Sequence, residues 1–252
     1  MLEGFTVRED IEQTVREYAG EEEFLLGFSD LYGIVEKGFS GLIYGITVGL
    51  KLDDRIVDAV IDGPTEEYVA HYGEINRRLD EITSEIADLL RSAGARAQAV
   101  PATLYEDPPN PEDPYYTNLS ASFPHKTAAT RAGLGWIGKT ALFVSDRFGP
   151  RVRLATVLTD QPLETGTPCE MSLCGDCMCC VEECPAEAAD GMEWFPGLER
   201  EAFFDAFRCR KKCIELTRET MGKSDLAVCG ICMAVCPVGV EYRTPASEDE
   251  WV

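Results

Sequence analysis

Five cysteines stand within the thirteen residues LCGDCMCCVEECP, from Leu173 to Pro185. Four of them, Cys174, Cys177, Cys180 and Cys184, followed by Pro185, give C-x2-C-x2-C-x3-C-P. This is a spacing in which thiolates hold iron–sulfur clusters. Three cysteines on a tight loop can wrap one corner of a cuboidal cluster, while the fourth leaves on the following helix and points at a second cluster. The proline fixes the backbone dihedral and removes an amide donor where the chain turns away. A single zinc ion is the simpler alternative, because C-x2-C pairs also hold zinc. Three consecutive ligand spacings and the proline favour the cluster. Cys179 has no place in the pattern and is expected to pack as a small buried thiol beside a ligand. Cys169 is a second spare of the same kind.

A second run, Cys229, Cys232 and Cys236 before Pro237, reads C-x2-C-x3-C-P and is one cysteine short, with Leu226 in the missing position. A remote thiolate is needed, and Cys209 and Cys213 in FRCRKKCIEL are the candidates. In a two-cluster arrangement each run lends its last cysteine to the other. Cluster 1 is then expected on Cys174, Cys177, Cys180 and Cys236, and cluster 2 on Cys184, Cys229, Cys232 and one of the remote pair. Arg208, Arg210, Lys211 and Lys212 surround that pair. Such a basic knot either lowers a thiolate pKa and offsets cluster charge, or is a solvated helix face.

The elements that must carry these residues are legible in outline. Ile11, Val15, Tyr18 and Ala19 repeat at helical spacing ahead of Gly20. LIYGITVGL (42–50) reads as a buried strand. After Pro64, a long helix presents Tyr68, Tyr72, Ile75, Leu79, Ile82, Ile86 and Leu89 on one face and closes at Gly94. RAQAV, TALFVSD and RVRLATVLTD read as further strands. The expected fold is α+β: an α/β domain over residues 1–160, then a small double-cluster domain over 161–240 that metal would staple, then an acidic tail over 241–252. QPLETGTP (161–168) reads as the linker.

The chain has 252 residues and a formal net charge of −22. That charge disfavours nucleic acid as a broad-surface partner. It fits a salty cytoplasm or an acidic face for a basic partner. No apolar run is long enough to span a membrane, and the amino terminus lacks the features of a signal peptide. A cytoplasmic protein is expected, and its eleven cysteines then point to metal rather than to disulfides.

GLGWIGKT (133–140) satisfies two nucleotide-binding patterns at once, yet both require a strand before the loop and a helix after it. Here HKTAATRA reads as helix and ALFVSD as strand, so the order is inverted. Charge is more informative. From Pro114 to Ser145 there is no Asp or Glu, in a chain with 45 of them, while His125, Lys126, Arg131 and Lys139 fall inside the stretch. An electropositive pocket for an anionic ligand is expected there, a buried segment that merely excludes charge being the alternative.

The succession HKTAATRAGLGWIGKTALFVSDRFGPRVRLATVLTD, CGDCMCCVEECP, RCRKKC and CGICMAVCP resembles epoxyqueuosine reductase and its short relatives, over about residues 25–240. The resemblance implies an amino-terminal domain akin to nitroreductase and cobalamin-processing folds, followed by a ferredoxin-like domain with two 4Fe–4S clusters. Reductive dehalogenases share the plan. It implies a corrinoid pocket lined by Lys126, Arg131, Gly133, Leu134, Gly135, Trp136, Ile137, Gly138 and Lys139, with a flavin or no cofactor as alternatives, and it favours Cys209 over Cys213 as the remote ligand. The sequence departs from the family in three ways. The aspartate proton donor expected before the glycine loop is missing from TNLSASFPHK. The helical-repeat domain that helps hold tRNA is absent. The chain is strongly acidic.

His125 is then the expected proton carrier, with Tyr115 and Tyr116 as weaker candidates, and His71 reads as structural. The expected function is an iron–sulfur oxidoreductase that passes electrons to a corrinoid or substrate. A reduced ferredoxin or flavodoxin would serve as donor, and the substrate would be a small molecule or a protein-bound cofactor. A non-catalytic electron relay and an epoxyqueuosine reductase without the usual donor are the alternatives.

Overall fold

The computed structural model describes residues 6–20, 23–34, 39, 41–103, 117–121, 123–223 and 226–242. In chain order the elements are α1 (Val7–Ala19), β1 (Phe24–Asp30), β2 (Tyr44–Lys51), α2 (Asp54–Asp58), α3 (Glu66–Ser92), β3 (Ala97–Val100), α4 (His125–Arg131), β4 (Gly135–Ile137), β5 (Phe143–Ser145), β6 (Val152–Thr159), α5 (Cys179–Glu182), α6 (Ala206–Met221) and α7 (Ile231–Ala234). They form two units that interleave along the chain. The first takes the chain up to Lys51, then Gly73–Trp136 and Arg153–Glu170. The second takes Leu52–Tyr72, Ile137–Val152 and the chain from Met171 onward. Where the sequence reading places one boundary near residue 160, the second unit also collects α2 and β5. No described helix is long and apolar enough to cross a membrane.

The first unit is built on a four-stranded sheet in the order β1-β2-β6-β3. β1 runs antiparallel to β2, with Phe24 opposite Leu50 and Asp30 opposite Tyr44. β3 runs antiparallel to β6, with Ala97 opposite Thr159. The central strands β2 and β6 are buried at nearly every position, so both of their faces are covered. α1 starts at a reciprocal capping box between Thr6 and Glu9 and buries Ile11, Val15 and Ala19, while Tyr18 is exposed. On α3 the buried stripe runs through Ile75, Leu79, Ile82 and Ile86 and ends at Leu90, one position past the expected Leu89.

Gly27, in the middle of β1, marks where the chain after α4 lies on the sheet. A Cβ there would stand 2.8 Å from Leu134 Cγ and 2.9 Å from Ala132 Cβ, so only glycine permits the approach. Leu31, Leu42, Val100, Phe123, Ala128 and Leu158 form the core beside it. The segment expected as a linker belongs to this unit: Gly166 N donates to Phe28 O at 2.8 Å and Cys169 N to Thr130 O at 2.8 Å. Amides in and just after it are held by β1 and α4, so it is not a free tether.

The second unit has little sheet and is organised around polar anchors. Arg151 is fully buried. It donates to Asp54 Oδ1 at 3.2 Å, to the Asp54 carbonyl at 3.0 Å, to Asp58 Oδ1 at 2.5 Å and to the Ala234 carbonyl at 3.1 Å. One guanidinium thereby ties α2 to α7. His71 Nε2 accepts from the Asp53 amide at 3.0 Å, just before α2, which is the structural role expected of it. Gly149 has φ +58, and a Cβ there would meet the Val238 carbonyl oxygen at 2.2 Å. The chain leaving Cys236–Pro237 is thus packed against a backbone that only glycine can supply. α6 begins at the Asp205 cap and ends at left-handed Gly222. From it the Thr217 hydroxyl donates to Leu226 O at 2.6 Å and holds the approach to the second cysteine run.

Candidate metal centre

Cys174 and Cys177 lie on the loop before α5, and Cys180 lies on its first turn. Cys236 arrives from the end of α7. The Cys180 thiol is pushed up to about 11, first by burial and then by Cys236, Cys174 and Cys177. Cys180 therefore neighbours the other three residues expected to hold cluster 1. Each thiolate raises the cost of the next, so the fully ionised set needs a cation among them.

The second group gathers Cys209, Cys213, Cys229 and Cys232. Cys209 and Cys213, one turn apart on α6, bring their sulfurs to 3.9 Å. Cys213 hydrogen-bonds Cys229 as well, and this bond holds the Cys229 thiol down at about 7 against the opposing effect of burial. The Cys209 thiol is lowered chiefly by its bond with Cys213. Cys232 is driven upward by burial, with Cys229 and Cys209 adding to it. Cys213, a spare beside Cys209 in the sequence reading, is thus the buried thiol that touches two of the expected ligands. Cys184 lies just beyond α5, half-buried.

The basic knot faces solvent for the most part. Arg208 pairs with Glu187 at 3.4 Å and Lys212 with Glu215 at 2.8 Å, and the lowered thiols owe their shift to Cys213 rather than to these cations.

The glycine loop supplies what the cysteine pattern alone did not reveal. A Cβ on Gly138 would lie 3.0 Å from Val144 Cγ2 and 3.7 Å from Cys174 Sγ. Lys139, only 4% exposed, donates to the Gly175 carbonyl at 2.7 Å and to the Cys177 carbonyl at 3.0 Å. The Thr140 side chain lies beside the thiols of both Cys180 and Cys232, and these two thiols neighbour each other. Gly138, Lys139 and Thr140 therefore form a seat for both thiol groups. The signal in the sequence was the buried lysine of an apolar loop, read there only as part of a pocket.

The remaining expected pocket residues divide by exposure. Lys126 and Gly133 are exposed, and Arg131 and Leu134 are half-buried. Gly135, Trp136 and Ile137 are buried. The Arg131 guanidinium donates to the Asp30 carbonyl. His125 is engaged at both ring nitrogens: Nε2 donates to the Pro101 carbonyl at 2.9 Å, and Nδ1 accepts from the Thr156 hydroxyl at 2.9 Å. Burial pushes its pKa down to about 4, so it is a neutral, doubly bonded imidazole with no nitrogen left over. Tyr115 and Tyr116 lie outside the described residues. Cys179 is exposed, not buried as expected, because the first turn of α5 points it outward. Its sulfur stands 3.7 Å from that of Cys177.

The donor set fits 4Fe–4S clusters. Cysteines gathered into two adjoining groups, with a buried lysine on the carbonyls of the first loop, suit polynuclear clusters.

Comparison with known proteins agrees. Residues 173–239 match the 4Fe–4S double cluster binding domain family. The chain is 35% identical over 122 residues to an epoxyqueuosine reductase of Synechococcus sp. (strain CC9605), covering 44% of this chain and 34% of that protein. Its fold is similar to that of a reductive dehalogenase in a structure described as suggesting a mechanism for B12-dependent dehalogenation, with TM-score 0.63, 18% identity and coverage of 94% of this chain and 33% of that one. It is also similar to epoxyqueuosine reductase solved with an epoxyqueuosine-modified tRNA-Tyr stem loop, with TM-score 0.55, 18% identity and coverage of 93% and 66%. The chain spans less than half the length of the first curated relatives it matches.

Proposed function

We propose that this chain is an iron–sulfur reductase in which two 4Fe–4S clusters in the second unit deliver electrons singly to an acceptor bound by the first. The observation that carries the reading is the gathering of cysteines from both runs into two thiol groups that adjoin at Cys180 and Cys232. Adjacent clusters would suit stepwise electron transfer. In this reading Cys174, Cys177, Cys180 and Cys236 hold one cluster. Cys184, Cys229, Cys232 and Cys209 or Cys213 hold the other.

The acceptor we infer is a corrinoid, on a first unit of nitroreductase or cobalamin-processing type. Support comes from the resemblance of the loop 125–140 and from the B12-dependent dehalogenation named for a structural relative. When bound, a corrinoid supplies low-valent cobalt for nucleophilic or one-electron reduction. The chain's own part is to meet the ligand at the accessible residues Lys126, Arg131, Gly133 and Leu134, since Gly135 to Lys139 are buried. The net charge of −22 favours a small molecule or protein-bound cofactor in the cytoplasm over tRNA as substrate. Anaerobic titration of the cluster-loaded chain with cob(II)alamin tests the reading. A saturable change in the corrinoid spectrum near one equivalent is expected, weakened by Arg131→Ala. No binding, or tight binding of flavin instead, would overturn the corrinoid assignment.

A further inference from the structure

Much of the large hydrophobic surface exposed among the described residues lies around the first cysteine loop. Met171 is 61% exposed, Leu173 60%, Phe195 52% and Met192 44%. The backbone brings them side by side. Ser172 N donates to Trp194 O at 2.9 Å, which sets Met171 and Leu173 against Phe195. Gly175 N donates to Glu193 Oε1 at 2.7 Å, which sets Met192 next to the loop carrying Cys174 and Cys177. Exposed Cys179 adjoins them, its sulfur 3.7 Å from that of Cys177. Leaving such side chains in water serves no packing purpose, and clustered apolar surface marks an interaction site.

The segment that carries these side chains has one sign of charge. From Met171 to Glu199 the sequence carries seven acidic residues and no Lys or Arg. Asp176, Glu182, Glu183, Asp190 and Glu199 are exposed. A ligated cluster adds further negative charge beneath them. An acidic carrier would be repelled here, whereas a partner with cationic side chains around an apolar centre would be steered in.

Resting on the two-cluster reading above, we propose that this face docks a one-electron carrier protein whose redox group is ringed by Lys and Arg. Its apolar centre meets Met171, Leu173, Met192 and Phe195, and its basic rim meets Asp176, Glu182 and Glu199. In the productive encounter one electron leaves the carrier's reduced centre and takes one cluster from the 2+ to the 1+ state, with no bond made or broken.

Docking does not depend on the direction of transfer, so it is tested with a cationic acceptor. The full chain, loaded with clusters and reduced by dithionite, is mixed by stopped flow with a ferricytochrome c whose haem edge is ringed by lysines. The bimolecular rate should fall steeply with ionic strength. It should drop about tenfold in the triple variant Asp176→Asn, Glu182→Gln, Glu199→Gln, and also in Phe195→Ser, Met192→Ser. A control triple on α3, Glu67→Gln, Glu74→Gln, Glu85→Gln, removes the same charge elsewhere and should keep the wild-type rate. A small neutral acceptor should oxidise all four proteins equally. A rate indifferent to salt, or equal losses in the two charge triples, would overturn the docking face. Clusters that dithionite does not bleach would instead overturn the two-cluster reading on which it rests.

Discussion

The ammonium of Lys139 donates to the carbonyl oxygen of Cys177 at 3.0 Å, in a site where the lysine is almost wholly withdrawn from water. With the companion bond to Gly175 at 2.7 Å, it fixes the loop that presents three thiols and places a cation beside them. A positive charge there stabilises the reduced, more negative cluster. Lys139→Met should therefore lower the midpoint potential of one cluster. Loss of a charge-assisted hydrogen bond worth about 1.5 kcal/mol corresponds to roughly 60 mV for one electron. Lys139→Arg, which keeps the charge, should recover most of the shift. An EPR-monitored redox titration measures both.

The Thr140 hydroxyl lies beside a sulfur of each thiol group, and with one proton it can donate to only one ligated sulfur at a time. Thr140→Val removes the hydroxyl at nearly constant volume. One cluster should then become harder to reduce by tens of millivolts, while iron content stays at the wild-type value. Thr140→Ser should behave as wild type. Two unchanged potentials would show that the hydroxyl donates to neither cluster.

Arg151 is buried between Asp54, Asp58 and the Ala234 carbonyl. Arg151→Met takes the guanidinium away from the buried Asp54 carboxylate and the Ala234 carbonyl. That should cost about 3–5 kcal/mol in chemical denaturation and loosen α7, so iron should be lost earlier in the unfolding curve. Adding Asp54→Asn should restore part of the stability, because a buried carboxylate that has lost its cation is gone.

His125 gives a pH signature. Burial holds its pKa near 4 in the folded chain, against 6.5 for the free group. The unfolded chain therefore takes up a proton between those values that the folded chain refuses. Stability from the neutral imidazole is complete above pH 6.5 and is lost as the pH falls toward 4, by at most roughly 3 kcal/mol. His125→Gln should be less stable than wild type at pH 7 and should show a smaller fall between pH 6.5 and 4.5. Taking the difference between the two proteins removes acid effects common to both.

Much of the metal centre was legible because ligand spacing is a local property. C-x2-C-x2-C needs only a tight loop, and the structure brings Cys174, Cys177, Cys180 and Cys236 together. The choice at the second group was less legible. Cys209 and Cys213 sit one helical turn apart on the same face, so spacing cannot separate them, and it is the burial of Cys213 between Cys209 and Cys229 that brings it into play. The acid-free stretch from Pro114 to Ser145 was read as an electropositive pocket from its charge alone; that Lys139 within it is buried and donates to carbonyls of the cysteine loop is a matter of packing that charge counting does not reveal. In the fold, β2, β6 and α3 announced themselves through continuous or periodic apolar residues. β1 did not, because Gly27 interrupts its pattern for the sake of Leu134 and Ala132.

Iron and acid-labile sulfide counted in protein purified without oxygen test the central claim most directly. Wild type should carry about eight of each per chain, as two 4Fe–4S clusters require. Cys179→Ala should keep them and Cys180→Ala should lose about half. A colourless protein carrying zinc, or a Cys180→Ala variant with the full iron content, would contradict the account.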